Sequence, residues 1–245
     1  MIVFYGESFA PWCEKARWAL DHHRVTYRFV EHVPMLGELS LRIAARRPTG
    51  PVTVPLLVDG EHRVMDSLAI ARHAEHHGAG APLFPSEVDP EIVVWDQRSD
   101  ALMRAGRALL LHRMARDAAA LREQLPASVP RSATTLLTPL AALAVRYLMA
   151  KYATDVADQA SHEHACREVL NQLRAACSHR RAYLVGSTLS YADLTMATAL
   201  QFILPVADDY VRLGAATRRA WTHPTLHLAY PDLLAWRDEL YARHR

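Results

Sequence analysis

The segment Tyr5-Gly6-Glu7-Ser8-Phe9-Ala10-Pro11-Trp12-Cys13 gathers two hydroxyls and a thiol around the start of a helix. Ala10-Pro11-Trp12-Cys13 looks like a Cys-Pro-x-Cys redox motif without its leading cysteine. A helix N-terminus lowers a thiol pKa, so mixed-disulfide chemistry at Cys13 is chemically open. The plainer expectation is a half-buried helix cysteine. Asp66-Ser67 opens another helix, where unpaired N–H groups and the helix dipole favour an anion. Ser67 could equally serve as a cap. His73 and His77 have the spacing of a two-histidine metal face. No cysteine or carboxylate pattern accompanies them, so solvated helix histidines are expected and no metal is assigned. Glu38, Arg42, Arg46 and Arg47 form a charged stretch in which an Arg could hold a carboxylate.

The elements that position these groups follow from period and turn chemistry. Ile2–Tyr5 has the pattern of a short strand, and Pro11 opens a helix to about His22. Thr26–Val30 alternates as a strand, and Glu38–Ala45 forms a short helix. Pro48, Gly50 and Pro51 mark a loop. Val54–Val58 and His62–Met65 are predicted to pair about a turn at Asp59-Gly60. Asp66–His77 forms a helix stopped by Gly78. The order βαβ, α, ββ, α implies a small mixed sheet with helices on its faces. Gly78, Gly80, Pro82 and Pro85 mark a linker. Helices are expected beyond it near 89–123, 132–152, 161–179, 190–204, 207–220 and 231–243. Leu136 to Ala150 is the longest apolar stretch. Its interruptions and length favour a buried helix over a membrane span.

The 245 residues suit one large domain or two small ones. Lys and Arg total 28 against 26 Asp and Glu, a formal charge of +2. That balance gives no electrostatic case for a nucleic-acid partner. No secretory signal is visible, and the three cysteines Cys13, Cys166 and Cys177 fit a reducing, cytoplasmic compartment. Cys166 and Cys177 share a predicted helix about 16 Å apart, too far for a disulfide. Both are expected to be small core residues.

Two strings carry a family resemblance. The first is Val54-Pro55-Leu56-Leu57, Asp59-Gly60, then Asp66-Ser67-Leu68-Ala69-Ile70. The second is Tyr183-Leu184-Val185-Gly186 followed by Ser190-Tyr191-Ala192-Asp193. Order and spacing resemble the glutathione S-transferase family over nearly the whole chain. The resemblance implies an α/β thioredoxin-like domain over 1–78, a linker over 79–88 and an all-α domain over 89–245. Against that pattern a further helix is inserted near 126–152. Ser190-x-x-Asp193 is a capping box, flanked by Leu189 and Leu194 as a hydrophobic staple.

The resemblance also implies a glutathione site. In the family the proline matching Pro55 is cis, and the backbone of the residue matching Val54 pairs with glutathione. The place of Ser67 receives the γ-glutamyl carboxylate, Asp66 could receive the ammonium, and Arg42 lies in the segment contacting the glycyl carboxylate. The family activates the glutathione thiol with a Tyr, Ser or Cys near the end of strand one or the start of helix one. The usual Ser or Cys position falls here on Ala10. Ser8, the amides of Trp12 and Cys13, and Tyr5 remain as candidates, with Cys13 for the redox variant. An electrophile pocket would draw on Trp12, Trp95, Arg98, Leu102, Met103 and Arg107.

The resemblance therefore implies conjugation of glutathione, as co-substrate, to small apolar electrophiles by a cytoplasmic homodimer. Two alternatives stay open. One is a binding or scaffold protein that lost its catalytic side chain. The other is a glutathione-dependent thiol–disulfide oxidoreductase using Cys13.

Overall fold

The computed structural model describes residues 1–125, 130–152, 158–177 and 182–245. Its elements are β1 Ile2–Gly6, α1 Pro11–His22, β2 Tyr27–Glu31, α2 Glu38–Ala45, β3 Leu56–Asp59, β4 His62–Met65 and α3 Ser67–His77. The helices that follow are α4 Asp89–Met114, α5 Ala118–Glu123, α6 Arg131–Lys151, α7 Gln159–Cys177, α8 Tyr191–Ala199, α9 Ala215–Trp221, α10 Leu226–Ala229 and α11 Pro231–His244. Two compact units result. One holds Met1–Ser99, Ala175–Ala199 and Trp236–Arg245, the other Asp100–Arg174 and Leu200–Ala235.

The sheet of the first unit has the order β2-β1-β3-β4. β1 runs parallel to β2 and antiparallel to β3, and β3 and β4 form a hairpin. Successive side chains of a strand point to opposite faces. Phe4 and Leu57 accordingly meet Cys13, Ala16 and Leu20 of α1 and Ile70 and Ala74 of α3. Their neighbours Tyr5, Leu56 and Val58 face Leu41 and Ala45 of α2. The result is a three-layer α/β/α arrangement. The turn is one residue later than the sequence pattern suggests, because Asp59 is still paired with His62 and Gly60-Glu61 makes the reversal. Gly60 takes a φ of +54°, which a glycine adopts without a Cβ penalty.

The Ser190-x-x-Asp193 signature folds as a buried cap with a variation. Ser190 N–H donates to Asp193 Oδ2 at 2.9 Å, as in a capping box, but the Ser190 hydroxyl also donates to that oxygen, at 2.8 Å. Asp193 Oδ1 accepts from Leu184 N–H at 2.8 Å, which ties the preceding segment to α8. Burial pushes the Asp193 carboxyl up to about 6, against the pull of these donors. Asp193→Ala would strand three buried donors and is expected to cost about 2–3 kcal/mol. Urea denaturation checks this, and a cost below about 1 kcal/mol would show the cap to be dispensable.

In the second unit the expected 89–123 helix is broken. Asp117 leaves the helical region at φ −106° and accepts from Ala119 and Ala120 N–H, so α5 starts afresh. The expected 207–220 helix shrinks to α9. There Glu123 accepts from Ala216 and Thr217 N–H at the helix N-terminus. The predicted 190–204 helix is α8 continued by a 3₁₀ turn at Leu200–Phe202. Residues 126–129 of the predicted insertion lie outside the described residues, and α6 occupies the rest.

The expectation of a buried helix at 136–150 is overturned. Ala133–Lys151 is long and apolar enough to cross a membrane by length and composition, yet 11% of it is buried. Ala141 and Val145 pack on Leu111 and Leu121, while Leu136, Leu140 and Leu143 face outward. Cys166 is buried as expected, whereas Cys177, the last residue of α7, is half exposed.

Candidate functional site

The ladder brings Tyr5, Val54 and Ser67 to one end of the sheet. Tyr5 pairs with Leu56, and Leu56 pairs with Met65. The C-terminal end of β1, the N-terminal end of β3 and the C-terminal end of β4 therefore coincide. Val54 and Ser67 each lie two residues beyond the Leu56–Met65 pair, on the same side. The Val54–Pro55 peptide is cis. Neither the N–H nor the C=O of Val54 makes a backbone hydrogen bond among the described residues.

Asp66 turns the chain from β4 into α3. Its φ of +91° is rare for a residue with a Cβ, a conformation that costs on the order of 1–3 kcal/mol. Its carboxylate accepts from Ala69 N–H at 3.0 Å, capping α3. Ser67 follows as the first helical residue and is buried. The capping side chain is thus Asp66 and not Ser67, which corrects the sequence expectation. Arg42 is engaged elsewhere: it donates to the Gly50 carbonyl at 2.9 Å and pairs with Glu38 at 3.4 Å.

The start of α1 shares this end of the sheet. Ala10 is its N-cap and provides no side-chain hydrogen bond, and Pro11 occupies the first turn. Gly6 lets the helix come close, since a Cβ there would meet Phe4 at 2.8 Å and Cys13 Sγ at 3.2 Å.

Three expectations about this segment change. Tyr5 faces the α2 layer, the opposite sheet face from α1, because strand side chains alternate. Cys13 is fully buried, its Sγ accepts from Glu7 N–H at 3.3 Å, and its N–H donates to the Ala10 carbonyl. Burial first, and then the Glu7 charge, push its thiol well above the ordinary range. A protonated, inaccessible thiol is the opposite of what disulfide exchange requires. Ser8 is exposed, but its N–H and hydroxyl both donate to Glu31 Oε1, at 3.0 and 3.3 Å. No motif in the sequence points to Glu31. The parallel register that pairs Gly6 with Glu31 brings it there from 23 positions away.

The residues expected to line an apolar pocket divide between the units. Trp12 is half-buried in the first turn of α1. Trp95 is buried in the first unit, with the Arg98 guanidinium 4.5 Å from its ring centroid. Met103 and Leu102 are fully buried in the second unit and offer no open surface. Arg107, also in that unit, lies over the Tyr152 ring.

No curated protein matches the chain. Solved structures of like fold include a glutathione S-transferase from Methylobacillus flagellatus with GSH bound, at 15% identity and a TM-score of 0.63, covering 99% of this chain and 95% of that one. Another, from Ceriporiopsis subvermispora in complex with glutathione, has 19% identity and a TM-score of 0.61, covering 99% and 94%. A glutathione S-transferase domain-containing protein from Marinobacter aquaeolei has 19% identity and a TM-score of 0.64, covering 98% of both chains. At such identities the likeness speaks to fold. The sequence itself carries the family: residues 4–82 match the glutathione S-transferase N-terminal domain and residues 137–244 the C-terminal domain. With the three-layer sheet, its Asp66-Ser67 corner and the helical remainder, this chain belongs to the glutathione S-transferase family.

Proposed function

We propose that the chain binds glutathione at the end of the sheet formed by Val54, Asp66 and Ser67, and conjugates it to small apolar electrophiles. The observation that carries this reading is that the N–H and C=O of Val54 make no backbone hydrogen bond among the described residues, at the end of the sheet where α3 begins. A cysteinyl backbone can pair with Val54 as an added strand while the γ-glutamyl carboxylate meets the amides of α3. Asp66 then faces the ammonium. Residues 1–78 would form the glutathione domain, 79–88 the linker and 89–245 the helical domain, in a cytoplasmic homodimer. The unpaired cysteines suit that compartment.

Conjugation needs the thiolate, and here one feature works against it. Glu7 and Glu31 surround the start of α1, and Glu31 holds the Ser8 hydroxyl. Negative charge raises a nearby thiol pKa. This favours, as a second reading, a glutathione-binding protein with little or no turnover.

Calorimetry and initial rates with an activated aromatic halide separate the two. Glutathione should bind, and Ser67→Ala with Asp66→Ala should weaken it at least about tenfold, a loss of about 1.4 kcal/mol or more. If Ser8 activates the sulfur, Ser8→Ala lowers kcat/KM, while Glu31→Gln raises it by removing a charge and weakening the hold on the hydroxyl. Binding without turnover, in the wild type and in Glu31→Gln, decides for the second reading. Absence of binding refutes both.

A further inference from the structure

At the far end of the β3–β4 hairpin from Val54 and Ser67, strand and helix bring three metal-ligating side chains together. Asp59 ends β3, and its carboxylate Oδ2 lies 3.1 Å from His73 Nε2. His77 stands one turn further along α3, with its ring centroid 4.1 Å from that of His73. One ligand atom from each of Asp59, His73 and His77 lies within 4.8 Å of the other two. The i, i+4 spacing places both imidazoles on one helix face, and the hairpin register delivers the carboxylate to them.

The details suit a cation as well as they suit a hydrogen bond. His77 Nδ1 lies 2.9 Å from the His73 carbonyl. A proton on Nδ1 donated to that oxygen leaves the Nε2 lone pair as the ligand, the usual way a carbonyl fixes a ligating histidine. Ligands about 2.0–2.2 Å from a tetrahedral zinc ion stand roughly 3.3–3.5 Å apart, so closure from the present spacing requires small side-chain rotations. The His73 side chain is 11% exposed and that of Asp59 29%, which anchors two ligands, while His77 is open to solvent. A fourth position is left for water. His62, opposite Asp59 in the ladder, has its ring centroid 6.3 Å from that of His73, and His76 has its own 4.8 Å from that of His77.

We propose that Asp59, His73 and His77 form a site for a divalent transition cation, zinc(II) by its two imidazoles and one carboxylate. The ion would clip the hairpin tip to the C-terminal half of α3, away from the glutathione end of the sheet. The claim does not depend on the chain binding glutathione.

The full chain, freed of metal by a chelator, is titrated with zinc by calorimetry and with cobalt(II) by visible absorption. One zinc per chain is expected, with a Kd near the micromolar range, visible bands of four-coordinate cobalt, and a rise in Tm of several degrees at excess zinc. His77→Gln changes an exposed side chain and should weaken binding at least about tenfold. His73→Gln combined with His77→Gln should abolish it. His164→Gln, at an exposed histidine paired with Glu168, should change nothing. Failure of the wild type to bind zinc at about 100 µM overturns the proposal, as does binding unchanged in His77→Gln.

Discussion

Lys15→Met is expected to lower the stability of the protein by about 3–5 kcal/mol. Lys15 sits in the middle of α1 with no exposed surface, and its ammonium donates to Asp96 Oδ1 at 2.8 Å and to Thr195 Oγ1 at 3.2 Å. The Thr195 hydroxyl donates to the same Asp96 oxygen at 2.9 Å, and the Thr195 carbonyl accepts from Ser99 at 2.9 Å. These residues come from α1, α4 and α8 and lie within the first unit. Removing the ammonium leaves the Asp96 carboxylate in the interior facing a hydroxyl, and a buried charge that loses its partner is among the costliest single changes. The paired variant Lys15→Met with Asp96→Leu removes both charges and should recover most of the loss, because the pair itself contributes little net stability. Denaturant midpoints at unchanged slope measure both. A single-variant loss under about 1 kcal/mol, or a double variant worse than the single, would show that the charges are not coupled in this way.

That cluster also marks where sequence reasoning stops. The element order βαβ, α, ββ, α and the mixed sheet with helices on its faces follow from period and turn residues, because local propensity and burial pattern agree there. Lys15 and Asp96 lie 81 positions apart, and nothing in either neighbourhood names the other. Glu31 is similar: its bond to Ser8 exists because β1 and β2 run parallel in register. The sequence pattern places Asp59 in the turn, and the extra ladder pair that turns it toward His73 depends on where the reversal falls. The breaks after α4 and before α9 were missed for a different reason. Both depend on carboxylates, Asp117 and Glu123, answering unpaired helix amides, and the apolar period runs on regardless. The outward face of α6 shows the converse: an apolar run predicts burial, and composition cannot say which part of it the fold covers.

Stability is expected to fall steeply as pH drops from about 6.5 toward 4, through His23 and His223. His23 is 1% exposed and neither ring nitrogen makes a hydrogen bond among the described residues, although Glu75 Oε2 stands 3.6 Å from its Nε2. Burial, with a smaller contribution from His22, pushes its pKa down to about 4. His223 is buried too, and its Nδ1 accepts from Leu226 N–H at 3.2 Å, a role that protonation ends. Burial and then the Arg113 charge push it down to about 4. Burial also lowers His112 and His244. An unfolded histidine titrates near 6.5, so below that pH the unfolded chain takes up protons that the folded chain refuses. The stabilisation from these neutral rings is present above 6.5 and is lost as pH falls toward the folded values, on the order of 3 kcal/mol for His223 and less for His23, because the Glu75 carboxylate favours its protonated ring. Asp193 acts in the other sense. Its raised pKa of about 6 makes the folded state the better proton acceptor between about 6 and 3.8, which offsets part of the loss. Two histidines against one carboxylate leave a net acid destabilisation. Urea midpoints at pH 7.5, 6.5, 5.5 and 4.5 measure the slope. His23→Leu replaces a buried ring that makes no hydrogen bond, so it should cost little at pH 7.5 and make the acid slope shallower by about one proton. Stability that stays flat between pH 6.5 and 4.5, or a slope unchanged in His23→Leu, would mean that these rings do not control the acid limb.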